Sequence, residues 1–378
     1  MDLRFRLAFV SLLLNFSIFA HSFSSSCGPG KECLIDLPGG TCADGTPAYY
    51  TLTQRPGAKK LLIYLSGGGG CWNRRSCEAG LARQLTRIEK PTDWQDDTGI
   101  GDASDALNPF REEYDIITVP YCTGDAYTGN NVVDYGTKSD PYVIRHVGYS
   151  NMQRLWGEVK QMYPDPEQVT LMGCSAGGIG ANFHLRGLSA AYPDVDKVVI
   201  SDAGTPFRPP FLEAPNYQRV MQAWGADQTL PLDPALGRRV ADFGELLRYN
   251  SQQFPDIRYS LLSSYGDQVM TFFAFSVGAR GPLTAVRRNI IDVANNYIGR
   301  ENPTSKVFFL DSTSHCQTPK RLGSVKSEGT SLGEFLTAQV NHTSGWKNVR
   351  PDLQPGFRPK ANPKLLTPGN WSELEDAY

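Results

Sequence analysis

Beyond its first two dozen residues the 378-residue chain lacks any apolar run long enough to cross a bilayer, which argues against a membrane-embedded mature protein. It also lacks charge imbalance: 37 Lys and Arg stand against 39 Asp and Glu. Neither a basic surface for nucleic acid nor an acidic tail is therefore expected. No internal repeat is visible, so a solenoid is excluded. The cysteine spacings are not those of paired C-x-x-C ligands, which speaks against structural zinc. An acidic loop from Asp93 to Asp105 lacks the spacing of a calcium-binding EF-hand and reads as solvated. No metal or cofactor is expected. Histidine is scarce, with five in the chain, so any chemistry that needs an imidazole has few candidates.

What is present begins with an export pattern. Arg4 and Arg6 precede an apolar run from Leu7 to Ala20, and small residues follow from Ala20 to Ser26. This is the layout of a signal peptide over about residues 1–24, and the run is too short and too interrupted, at Asn15 and Ser17, for an anchor. A secreted protein, extracellular or periplasmic, is expected. All eight cysteines (Cys27, Cys33, Cys42, Cys71, Cys77, Cys122, Cys174 and Cys316) follow that segment, and an even number in an oxidising compartment suggests disulfides. Cys71 and Cys77 are close enough to clip one loop. Spacing alone does not fix the connectivity.

The apolar pattern predicts strands at Tyr49 to Thr53, Lys60 to Leu65, Asp115 to Tyr121, Val169 to Met172, Lys197 to Ser201, Arg258 to Ser263 and Lys306 to Leu310. Helices are expected at Glu78 to Arg87, at Ser150 to Tyr163 with Ser150 as its cap, from the turn after Cys174 to about Tyr192, and at Leu332 to Val340. Alternating strands and helices imply an α/β-hydrolase-like fold, a mostly parallel sheet with helices on both faces. Residues 25–378 read as one catalytic domain. A segment at about 207–255, helical at Tyr217 to Trp224 and Asp233 to Tyr249, breaks the alternation and reads as a cap-like insertion. A Pro-rich tail occupies about 351–378.

Val169 to Arg186 contains Gly173-Cys174-Ser175-Ala176-Gly177, a G-x-S-x-G turn between a buried strand and a helix. Such a turn holds its serine hydroxyl clear of the sheet, and the glycines are needed because side chains there would strike the strand and helix. The Ala176 amide, at the helix start, is placed to face a developing oxyanion. Gly67 to Gly70 follow directly on a buried strand. There, backbone amides can approach a ligand closely, and Gly69 and Gly70 are the expected further oxyanion donors. Trp72, Asp125, Tyr127 and Asp202, each at or just beyond a strand's C-terminal end, are candidate substrate-binding residues. His315 lies just after the last apolar strand and is the expected base. Its carboxylate partner is Asp267 as first choice, with Asp202 second and Asp311 third. His146 and His184 read as structural.

The blocks LSGGGGCW, GCSAGG, SDAG and SHCQT, in that order and at these separations, resemble the pectin acetylesterase and Notum family of carboxylesterases. The resemblance runs from about Leu61 to Gln317. It implies Ser175 as nucleophile, Asp267 as acid and His315 as base. It further implies an O-acetyl ester of a polysaccharide such as pectin as substrate, or another acyl group, including that of a lipid-modified protein. A binding module that kept the fold without the chemistry is the remaining alternative. The plant enzymes usually carry Trp where Gly70 stands here, so the wall that Trp would form is open to question. Cys174 and Cys316 each adjoin a residue of the implied triad, so a disulfide between them is geometrically compatible.

Overall fold

The computed structural model describes residues 28–87, 99–208, 214–280, 284–299 and 303–351. The expected export signal and most of the tail lie outside the described residues, as does part of the acidic loop. Eight strands form the central sheet: β1 (Glu32–Thr41), β2 (Pro47–Thr53), β3 (Lys60–Leu65), β4 (Tyr114–Val119), β5 (Gln168–Cys174), β6 (Asp196–Asp202), β7 (Arg258–Ser264) and β8 (Ser305–Leu310). Their spatial order is β1-β2-β4-β3-β5-β6-β7-β8. β1 and β2 pair antiparallel, as do β2 and β4, and every pairing from β4 to β8 is parallel. This is the α/β-hydrolase-like sheet that the alternation implied.

Both faces of the sheet are covered, which is why its strands are nearly continuous in apolar residues. Leu61, Ile63 and Leu65 of β3 pack into one cluster with Leu155 and Val159 of α2 (Gly148–Met162) and Phe183 and Leu188 of α3 (Ala176–Ala191). Leu62 and Tyr64, one residue out of step, join Phe335 and Leu336 of a helix over Leu332–Val340 on the other face. The period of two sends alternate residues to opposite faces. That last helix starts with a capping box, Ser331 and Glu334 satisfying each other's backbone amides.

Three local expectations are corrected, and one strand is added. The helix expected from Glu78 to Arg87 is instead a single turn, α1, over Arg74–Glu78. Gly80 at φ +72° breaks it, and the following backbone pairs with the glycine loop: Gly70 N–H donates to Leu81 C=O and Arg83 N–H to Gly68 C=O, both at 2.9 Å. α2 begins at Gly148, two residues before Ser150, so its cap position falls on Val147, which has no polar side chain, and the Ser150 hydroxyl donates instead to Asn130 Oδ1 at 2.6 Å. Asp233 lies in a short hairpin, and the helix after it runs only over Phe243–Gln253, capped by Asp242, whose side chain accepts from the Gly244 and Glu245 amides. β1, finally, has no counterpart in the sequence reading. Its Pro38, Gly39 and Gly40 disguise an edge strand with a register shift between Asp36 and Thr41, the position where a sheet tolerates Pro.

Candidate active site

β5 ends at Cys174 and α3 begins at Ala176, so Ser175 alone makes the turn. Its φ of 58° and ψ of −119° are strained for a residue with a Cβ. The neighbours leave no alternative: a Cβ on Gly173 would sit 2.2 Å from Gly177 O, and one on Gly177 would sit 1.9 Å from Leu65 O. The Ser175 amide is anchored to Asp202 C=O at 2.8 Å. That leaves the Ala176 amide at the first helical position, where the helix itself supplies no acceptor.

The loops after β7 and β8 meet the turn from the side. Asp267 caps the helix α4 (Gln268–Ser276), its Oδ1 accepting from Met270 N–H at 2.9 Å. Its Oδ2 lies 2.8 Å from His315 Nδ1, and both side chains are fully buried. A disulfide joins Cys174 to Cys316 and so fastens the residue before Ser175 to the residue after His315. A ring nitrogen of His315 lies within 4.8 Å of both sulfurs. The cluster holds no metal-ligand set while those sulfurs are bonded to each other, because the thiolate is the ligating form.

Asp202 has a different position from Asp267. Its Oδ2 accepts from Gln317 N–H at 2.6 Å, Thr318 N–H at 2.7 Å and Thr318 Oγ1 at 2.8 Å. The residue whose carbonyl holds Ser175 thus also holds the chain just past His315. Burial pushes its carboxyl up from the ordinary aspartate range, against the downward pull of those three donors. It does not line the cavity described next; its bonds anchor loops, one of the two roles open to it at this strand end. Asp311, the third candidate acid, is exposed.

The glycine loop lies against the turn: a Cβ on Gly67 would be 3.2 Å from the Ser175 Cβ. Gly69, Gly70, Trp72, Ser175 and Ala176 line a cavity whose other walls are almost wholly apolar. Those walls include Tyr217, Val220, Met221 and Trp224 of a helix over Ala214–Trp224, Phe243, and Met270, Phe273 and Val277 on and just after α4. None of them carries a sequence signal of function; helical spacing marks them only as apolar. Trp224 stands 3.1 Å from where a Cβ on Gly70 would be, so an indole occupies this side of the loop although position 70 is glycine. One expectation for the loop fails. Because Gly70 N–H is committed to Leu81 C=O, it is withdrawn from the oxyanion donors.

Asp125 and Tyr127 are likewise corrected from substrate contacts to loop anchors. Asp125 is fully buried, accepting from Thr123 Oγ1 at 2.6 Å, Tyr127 N–H at 3.0 Å and Gly148 N–H at 2.7 Å. The Tyr127 hydroxyl lies 2.9 Å from the carbonyls of both Ser66 and Val119, which fixes the start of the glycine loop. His146 bonds Thr123 C=O and the Tyr135 hydroxyl, each at 3.0 Å. His184 Nε2 is 2.7 Å from Tyr127 C=O. Burial pushes both imidazoles down to about 4.

Comparison with known proteins adds to this geometry. The palmitoleoyl-protein carboxylesterase NOTUM of Mus musculus is 28% identical over 188 residues, 47% of this chain and 35% of that protein. The alignment therefore spans about a third of the relative's length. The inactive relative notum1b of Danio rerio is 30% identical over 93 residues, 24% of this chain and 66% of that one. The Wnt deacylase Notum from Drosophila superposes with a TM-score of 0.66 at 19% identity, covering 89% of this chain and 99% of that chain, a likeness of fold. The family model described as Pectinacetylesterase matches residues 34–223, from β1 through the serine turn to the helix that walls the cavity, and the chain belongs to that family.

Proposed function

We propose that the chain is a secreted serine carboxylesterase that works through an acyl-enzyme, and that its acyl group is a hydrocarbon chain longer than acetyl. The observation that supports the chemistry is the Cys174–Cys316 disulfide, which fastens the residue before Ser175 to the residue after His315, itself paired with buried Asp267. Ser175 Oγ attacks the ester carbonyl while His315 Nε2 takes its proton. Asp267 accepts from Nδ1–H, which fixes the tautomer and steadies the imidazolium. The amides of Gly69 and Ala176 receive the oxyanion. The alcohol leaves with the proton from His315, and water then repeats the sequence on the acyl-enzyme. Family membership alone does not carry activity, since a relative named inactive belongs to the same set.

The acyl reading rests on the apolar cavity beside Ser175. Its walls are almost wholly apolar and come from several helices, more such surface than a single methyl group can cover. Relatives named palmitoleoyl-protein carboxylesterases point the same way. The family description favours the second reading, O-acetyl groups on a polysaccharide. Hydrolysis of p-nitrophenyl acetate and octanoate separates them. Six further methylenes, at roughly 0.8 kcal/mol each when fully buried, offer about 5 kcal/mol, and a third of that already gives more than tenfold in kcat/KM. A preference for acetate would refute the long-chain reading. Ser175→Ala should lose roughly 10⁶-fold in turnover on either ester, and unchanged turnover would sink the mechanism.

A further inference from the structure

The helix over Ala214–Trp224 touches the glycine loop through its last residue. Trp224 is buried, and its indole Nε1 donates to Cys71 C=O at 2.7 Å. Its own carbonyl accepts from Asn130 N–H at 2.8 Å, so the residue is held from two sides. The same side chain lines the cavity with Ser175 and Gly69. One indole is therefore both a wall of the cavity and a tie on the loop beside the nucleophile.

The tie matters because of what it holds. Glycines have no side chains with which to lock a conformation. Gly69 sits at φ +74°, and its amide is the donor that the loop contributes to the proposed site. Its chain neighbours are held at fixed points: Gly70 N–H by Leu81 C=O, Cys71 N–H by Gly124 C=O, and the Cys71 side chain by Cys77. Trp224 supplies the partner for the Cys71 carbonyl. We infer that Trp224 is a positioning and specificity residue: its ring walls the acyl space, and the indole's bond to Cys71 sets the Gly69 amide. This rests on the esterase reading above. Its consequence is that loss of the bond is expressed in kcat for every ester, because the amide it sets acts on the transition state, whereas loss of the ring is expressed in the chain-length preference.

Two substitutions separate wall from tie in the full chain. Trp224→Phe keeps an aromatic wall and deletes the N–H; Trp224→Ala deletes both. With p-nitrophenyl acetate, butyrate and octanoate, Trp224→Phe should lower kcat about tenfold on all three, with KM near wild type and the chain-length order retained, since a sub-ångström shift of an oxyanion donor suffices for that. Trp224→Ala should show the same loss and also a flattened chain-length profile. Rates are taken per active site, titrated with a fluorophosphonate, so that a misfolded fraction does not register as a lower kcat. Wild-type kcat per site in Trp224→Phe would overturn the tie, and an unaltered chain-length profile in Trp224→Ala would overturn the wall. Should the wild type prefer acetate, the long-chain reading falls while the tie is still judged on acetate.

Discussion

Replacing both members of one disulfide by alanine has a stability effect that depends on which disulfide is cut. Cys174–Cys316 has a sequence separation of 142, Cys71–Cys77 one of 6. Restricting the unfolded chain over the longer loop is worth about 5 kcal/mol at 25 °C in the chain-entropy picture, and over the shorter one about 2 kcal/mol. Urea unfolding followed by tryptophan fluorescence should therefore show the larger fall in midpoint for Cys174→Ala with Cys316→Ala. The gap of about 3 kcal/mol is large against the marginal stability of a folded chain, ~5–15 kcal/mol. Because that bridge also fastens the serine turn to the histidine loop, kcat per folded molecule should drop about 10- to 100-fold, the scale expected for a misplacement near 1 Å. Equal losses of stability from the two cuts would refute the entropic reasoning. Wild-type kcat in the long-loop variant would refute the bridge's part in holding the site.

Asp267→Asn should lower kcat about 10⁴-fold by favouring the wrong imidazole tautomer, whereas Asp202→Asn, which keeps an acceptor for Gln317 and Thr318, should lose far less. The reverse order would move the acid to Asp202. Tyr127→Phe should lose about 1–3 kcal/mol of stability by leaving the buried Ser66 carbonyl short of a donor, with KM unchanged. A raised KM there would restore Tyr127 as a substrate contact. His146 and His184 titrate at about 4 in the folded chain against an ordinary 6.5. Between those values the unfolded chain binds more protons, so stability is full above pH 6.5 and falls as pH drops towards 4, by about 3 kcal/mol per histidine. His184→Gln should flatten that fall in unfolding free energy; an unchanged slope would count against the burial effect.

What the sequence made legible was local. β3 and β5 are short apolar runs, and the glycines around Ser175 are demanded within the same turn. Candidates at strand ends were harder to sort, because Asp125, Tyr127 and Asp202 share the sheet edge with Trp72 and differ only in what they face. Two of the three are carboxylates whose bonds include partners far along the chain, Gly148 for Asp125 and Gln317 and Thr318 for Asp202. The choice between Gly69 and Gly70 was equally out of reach, since it turns on Leu81 in a segment that helical propensity alone would have coiled. β1 was hidden for the same reason: β2 makes it a strand, against its own Pro and Gly content.

The two halves of the proposed function therefore sit on different parts of the chain. Ser175, Asp267 and His315 follow β5, β7 and β8, and are tied to one another by a disulfide, by the Asp202 hub and by the Asp267–His315 bond. Many of the cavity's walls come from two helices. Those on α4 share an element with the Met270 amide, which is bonded to the acid. Those on the Ala214–Trp224 helix lie off that element, and at Trp224 the wall is bonded to the glycine loop. Changes at Val220 or Met221 can reshape the acyl space while leaving the reacting groups in place. Acyl selectivity is for that reason the property of this scaffold most open to divergence within the family, and Trp224 is where divergence would begin to affect the rate.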